Sequence, residues 1–262
     1  MTIRSLRMRG AALALAALTA GALGCATTSR ADREHAVRKA ASHLELGVDH
    51  LANKRGARAL REFMAAEQLD PKNARVHYAL SEAYLAQGKP KDAERHLERA
   101  LELAPAYHDA RQSLAALLLI SGRSEEAIRH CNRLIDDPTY SSPWAALTNR
   151  AWAEYKLERA DVARESLQLA REYRADYWPA ALALAMIEND EGRRTEAIRL
   201  YHDILSMEPG PEVESEVNYR LAEIHVALGN RRQALGHLST SVARLPSGPW
   251  AKKSQEYLKL LH

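Results

Sequence analysis

Alanine returns at positions 59, 93, 127, 163, 197 and 234, at intervals of 34, 34, 36, 34 and 37 residues. A segment of about 34 residues is too short to bury a core of its own and is the right size for one helical hairpin, so stability has to come from stacking on neighbours. That period constrains the chain to an all-helical array of hairpins.

The copy that begins at Ala74 gives the rule. His77, Leu80, Ser81 and Tyr84 fall at positions 4, 7, 8 and 11 of the repeat, on one face of a first helix. Gly88 at position 15 ends that helix. Ala93, Leu97 and Ala100, at positions 20, 24 and 27, make the stripe of a second helix, and Pro105 at position 32 breaks the chain. Ala93 is small because the paired helices approach closely there.

The same pattern sets Ala59, Phe63 and Pro71 in repeat one and Gly122, Ala127 and Cys131 in repeat three. It sets Gly192, Ala197 and Tyr201 in repeat five and Gly229, Ala234 and Leu238 in repeat six. Repeat four keeps Ala163, Leu167 and Ala170, but Arg150 stands where leucine is expected and Glu158 where glycine is expected. These residues resemble the tetratricopeptide repeat (TPR) pattern. They predict an all-α TPR superhelical solenoid of about six helix–turn–helix repeats over residues 40–248. A capping helix is expected over residues 249–262, with Trp250, Tyr257, Leu258 and Leu261 on its apolar face.

The start of the chain reads differently. Arg4, Arg7 and Arg9 precede an uncharged apolar run from Ala11 to Leu23, and Gly24-Cys25 follows. The run is too short for a membrane span and has the build of a secretory signal. A cysteine directly after Leu-Gly resembles the bacterial lipobox. Residues 1–24 are then a lipoprotein signal peptide and residues 25–39 a lipidated N-terminus and linker. The resemblance implies lipid on Cys25 and, with Ala26 next rather than aspartate, the periplasmic face of the outer membrane. One acyl chain would hold only marginally; lipoproteins of this kind carry three.

Removing residues 1–24 removes three of the 37 basic residues and none of the 34 acidic ones, leaving 34 against 34. The formal net charge of +3 therefore belongs to the leader and gives no ground for a nucleic-acid partner. With Cys25 committed to lipid, Cys131 is expected to be a free core thiol.

Chemistry is sparse. No phosphate-cradling glycine loop, GxSxG elbow or HExxH occurs. His43 and His77 at position 4, and His50 and His225 at position 11, are packing positions and read as core histidines. His130 and Cys131 are neighbours that point different ways on a helix and do not share a metal. The run Glu188-Asn189-Asp190-Glu191, just before Gly192, reads as a solvated loop. The expectation is a binding protein with no catalytic residues, cofactor, metal or small-molecule substrate.

Positions 2, 5, 9, 12 and 13 of the first helices lie opposite the packing face and are expected to line a concave groove. There the sequence sets Leu44, Val48 and Leu51, then Tyr78, Leu85, Leu119 and Ile120, then Trp152, Tyr155, Met186 and Tyr219. Large exposed apolar patches mark interaction sites, and aromatics and methionine are enriched in interface cores. Tyr78, Leu85, Leu119, Trp152, Tyr155, Met186 and Tyr219 are therefore the candidate partner-binding residues. The alternative is that some of them bury against one another. The groove lacks the lysine and asparagine pattern that grips a C-terminal carboxylate, so an extended or helical apolar segment fits better.

A lipobox followed by six TPR repeats resembles the pilotin lipoproteins of type IV pilus systems. DDPTYSSPW (residues 136–144), LTNRAWAEYKLERADVAR (147–164) and GPWAKKSQEYLKLL (248–261) look closest to the subgroup that supports social gliding motility. The resemblance implies that the protein binds secretin subunits, delivers them to the outer membrane and promotes their assembly into the multimeric pore for the pilus. Apolar strands not yet closed into a barrel would aggregate in water, and an apolar groove would shield them. Two other readings share the features: a cell-envelope adaptor docking a peptidoglycan enzyme or protease, and a subunit of outer-membrane barrel assembly.

Overall fold

The structure, a computed structural model, describes the backbone of residues 7–261 and side chains from residue 30 onward. Cys25 and the expected signal peptide fall outside the residues whose side chains are described. Among the described residues the chain forms thirteen helices and no strand. None of these helices is long and apolar enough to cross a membrane.

The chain divides into two compact units, Met1–Ala110 and Arg111–His262. The first holds α1 (Arg7–Ala52), α2 (Gly56–Leu69), α3 (Ala74–Ala86) and α4 (Pro90–Leu103). The helix α5 (His108–Ile120) begins just before the boundary. It is followed in the second unit by α6 (Ser124–Ile135), α7 (Pro143–Lys156), α8 (Ala160–Tyr173) and α9 (Trp178–Asp190). Then come α10 (Arg194–Ser206), α11 (Pro211–Ala227), α12 (Arg231–Arg244) and α13 (Pro249–Leu261).

Each hairpin closes on the same turn. In repeat two Gly88 takes a left-handed φ of 69°, its N–H donates to the Leu85 carbonyl, and the Lys89 N–H donates to the Tyr84 carbonyl. This is the Schellman closure, which satisfies carbonyls that a helix end would otherwise leave bare. Gly122, Gly192 and Gly229 repeat it with the same pair of bonds. Repeats one and four reach the same geometry without glycine. Lys54 has φ 58° and Glu158 φ 62°, and the bonds Arg55 N–H to His50 and Arg159 N–H to Glu154 complete the motif. Glu158 thus occupies the glycine slot and fixes the phase of repeat four.

The longer intervals have local causes. Before repeat four, Asp137 accepts from the Thr139 N–H at 2.9 Å, and buried Tyr140 donates to Gln112 Oε1 at 2.6 Å. Before repeat six, Gly210 at φ 96° leads into α11, which at 17 residues is longer than the other first helices of the second unit. At the other end, residues 30–39, expected as linker, continue α1 as helix.

Small residues sit at the helix crossings as the spacing requires. Ala59, Ala93, Ala127, Ala163, Ala197 and Ala234 are all fully buried. Around them the first unit packs Phe63, Ala66, Val76 and Leu80. The second packs Leu147, Leu167, Leu184, Leu200, Tyr201 and Ile204. Cys131 is buried and free, and burial pushes its thiol up to about 12.

Candidate partner-binding surfaces

The first unit carries a cleft of about 240 Å³ on the face defined by positions 5, 9 and 12. Leu44, Val48 and Leu51 of α1, Tyr78 of α3 and Tyr107 line it, with Arg75 and Glu82 contributing charge. Leu44 is buried, whereas Val48 is 53% exposed. Tyr78 and Tyr107 meet at 5.2 Å between ring centroids, and burial pushes the Tyr107 phenol up. An aliphatic residue at position 9 of α1 is held open because positions 4, 8 and 11 of that helix already face the hairpin. Leu85, about two turns beyond Tyr78 along α3, is half-buried.

In the second unit Trp152 and Tyr155 are half-buried, pack on the core and meet edge to face at 6.2 Å. Tyr155 donates to Asp190 at 3.0 Å; burial first, and then that bond, push its phenol up. Met186 is half-buried. Leu119 is only 8% exposed and belongs to the packing, although its neighbour Ile120 is 79% exposed. The Leu119 carbonyl accepts from Lys156 Nζ at 2.9 Å, which ties α5 to α7. Tyr219 faces the capping helix: its ring lies 5.3 Å from Trp250 and 6.3 Å from Tyr257, with the Lys253 ammonium over Trp250 at 4.1 Å. Burial, followed by the charge of Glu223, raises the Tyr219 phenol to about 12. The candidate residues therefore divide between an open cleft in the first unit and half-covered aromatics in the second.

One expectation is corrected. Glu188 is not in a solvated loop. It lies in α9 with 3% exposure, and its carboxylate accepts from Arg164 Nε at 2.8 Å and from Arg193 Nε. A buried carboxylate needs such partners to offset lost hydration. Repeat four shows the same device, Glu154 accepting from Arg159 at 3.0 Å. Arg150, the departure from leucine, is also absorbed: its guanidinium donates to Ser166 Oγ at 3.1 Å and to Asn132 Oδ1 at 3.2 Å.

The histidines follow a rule that the single-helix pattern hides. Positions 4 and 23 of a repeat face one another across the hairpin, 19 residues apart. His43 meets Glu62 at 2.7 Å, His77 meets His96 at 3.1 Å, and His237 meets Asn218 at 3.0 Å. In repeat three the pair is Arg111 and His130, and the imidazole is pushed down to about 4 by burial first and Arg111 next. His225 is buried and stacks on His237, while His50 is half-buried.

Helical hairpins packed through small residues, with apolar side chains held open on first-helix positions, define a TPR scaffold, a class that binds proteins. The chain belongs to the tetratricopeptide repeat family, whose model matches residues 50–99, 84–151 and 188–253. No curated protein gives a sequence match. Among solved structures the chain is similar to PilW, a widely conserved type IV pilus biogenesis factor. That likeness has 20% identity and a TM-score of 0.72 over 82% of this chain and 97% of that one. It is also similar to PilF of Pseudomonas aeruginosa, with 18% identity and a TM-score of 0.65 over 86% of this chain and 99% of that one. MamA shares 20% identity at a TM-score of 0.54, over 62% of this chain and 94% of that one. At these identities the likeness is one of fold.

Proposed function

We propose that this protein is a pilotin, an outer-membrane lipoprotein that binds secretin subunits through its TPR surface and promotes their delivery and assembly for type IV pilus biogenesis. The observation that carries the reading is the cleft of the first unit, where Val48, Leu51 and Tyr78 offer apolar surface at first-helix positions and Tyr107, in the connection between α4 and α5, adds its ring. Such a surface suits an apolar segment of another polypeptide. Likeness in fold to PilW supports the choice of pilus assembly over other envelope roles. Cys25 supplies the anchor in this reading, and anchoring raises the local concentration of captured subunits where assembly takes place.

The test is a cleft variant, Val48→Ser with Tyr78→Ser, expressed in the native host. Circular dichroism and fractionation establish fold and location, and heat-stable secretin multimers in membranes are then counted. A sharp loss of multimers is expected. Normal multimer levels from a folded, correctly localised variant would refute the assignment of this cleft. Loss of membrane association in Cys25→Ala checks the anchor separately.

A further inference from the structure

Glu67 of α2, His77 of α3 and His96 of α4 bring one ligand atom each into a single group, all within 4.8 Å of one another. His77 Nδ1 lies 3.1 Å from His96 Nδ1 and 3.6 Å from Glu67 Oε1, and His96 Nδ1 lies 3.9 Å from the same oxygen. Both imidazoles are buried and the carboxylate is half-buried. The far nitrogen of His77, Nε2, sits 3.0 Å from the Pro71 carbonyl. A carbonyl only accepts, so Nε2 carries the hydrogen and a neutral His77 directs the Nδ1 lone pair at His96. Holding the outer ring nitrogen on a backbone carbonyl is how proteins fix a metal-binding histidine in the right tautomer.

We propose that Glu67, His77 and His96 form a zinc(II) site. Two nitrogen donors and one carboxylate oxygen suit this borderline ion and disfavour calcium and magnesium, which prefer all-oxygen shells. The distances argue for four-coordination. Bonds of about 2.0–2.1 Å in a tetrahedron place ligand atoms about 3.3–3.4 Å apart, whereas an octahedral face at the same bond lengths places them about 2.9–3.0 Å apart. Separations of 3.1, 3.6 and 3.9 Å, taken together, lie nearer the wider value than the narrower one, and two of the three exceed both. The three side chains also line a cleft of about 450 Å³, with Arg95 and Arg99 beside it, so an ion has a way in and a fourth position is left for water.

The ion would join the last turns of repeat one to both helices of repeat two. Glu67 belongs to the second helix of repeat one, and the histidines are the facing position 4 and 23 pair of repeat two. Zinc would fasten the hairpin pair that carries the cleft described above.

The experiment uses the full chain, stripped with chelator, and titrates zinc chloride by calorimetry and cobalt(II) by visible absorption. One zinc per chain is expected, with intense tetrahedral cobalt bands and a melting temperature that rises with zinc. Glu67→Gln and His96→Asn, each verified by circular dichroism, are expected to weaken binding at least tenfold and to abolish the cobalt bands. Glu67→Gln keeps shape at a half-exposed position, so it decides the matter if His96→Asn does not fold. Wild-type affinity in folded Glu67→Gln, or a pale octahedral cobalt spectrum in the wild type, would overturn the proposal.

Discussion

Gly47 of α1 and Phe63 of α2 are packed so closely that a Cβ on Gly47 would lie 2.5 Å from Phe63 Cδ1. Phe63 is fully buried, so any shift of its ring disturbs packed neighbours. Replacing a mid-helix glycine by alanine normally gains about 1 kcal/mol through helix propensity. Here overpacking, at about 1–3 kcal/mol, opposes it and is the larger effect. Gly47→Ala is expected to lower the melting temperature, and Phe63→Leu in the same chain to recover part of the loss. A higher melting temperature for the single variant would contradict the contact.

Ala93→Leu tests the helix crossing in repeat two. Ala93 is fully buried where α3 and α4 meet. A leucine forced between them is expected to cost about 1–3 kcal/mol and lower the thermal midpoint. An unchanged melting curve would count against the crossing.

Glu158→Gly is expected to stabilise. A non-glycine residue in the left-handed region costs about 1–2 kcal/mol, and Glu158 at φ 62° occupies a slot that glycine fills in four other repeats. The extra freedom of glycine in the unfolded chain takes back part of that, leaving a gain of about 1 kcal/mol. Gly88→Ala, at φ 69° with open space around it, is expected to lose a similar amount from backbone strain alone. Paired thermal melts would measure both.

The repeat frame was legible because its punctuation is chemical. Small residues at the crossings, glycine in left-handed turns and proline between hairpins each answer a local demand. What escaped lies between helices. Glu188 looks like part of a solvated acidic run until Arg164, 24 residues earlier, is seen to reach it. His96 carries no mark in its own helix, because its partner His77 is 19 residues away, beyond any single-helix pattern. The signal existed in the repeats themselves: positions 4 and 23 are polar together in repeats one, two, three and six. Exposure on the groove face was only partly readable, since Leu119 and Val48 occupy neighbouring register positions with opposite burial.

Acid should weaken the fold through His130. Its buried Nδ1 has no hydrogen-bond partner, and burial with Arg111, Arg133 and Arg129 holds the ring down to about 4 against an ordinary 6.5. Above pH 6.5 the ring is neutral folded or unfolded. As pH falls from 6.5 to 4 the unfolded chain binds a proton that the folded chain refuses, so stability drops across that window and levels off below it. Thermal melts of wild type and His130→Gln should show the wild type losing more stability over that range. Parallel curves would remove His130 as the cause.

Cys131 should be silent toward thiol reagents in the native state. Its sulfur is fully buried and its thiol is pushed up to about 12, so little thiolate exists at pH 8 and none is reachable. A disulfide-exchange assay is expected to show no reaction at this residue until denaturant is added. Rapid native labelling would mean that α6 opens readily.

The continuation of α1 ahead of the first repeat sets how the molecule is held. Residues 30–39 are almost entirely exposed helix, carrying Arg30, Asp32, Arg33, Glu34, Arg38 and Lys39. Ten helical residues span about 15 Å with little give. Ten residues of flexible coil would average about 17 Å, with fluctuations as large as the mean. The reach is nearly the same, but a rod confines repeat one to a shell while a coil lets it fill a ball. Any grip on the chain near residue 30 therefore fixes both the stand-off and the orientation of repeat one, as a bracket does and a leash does not.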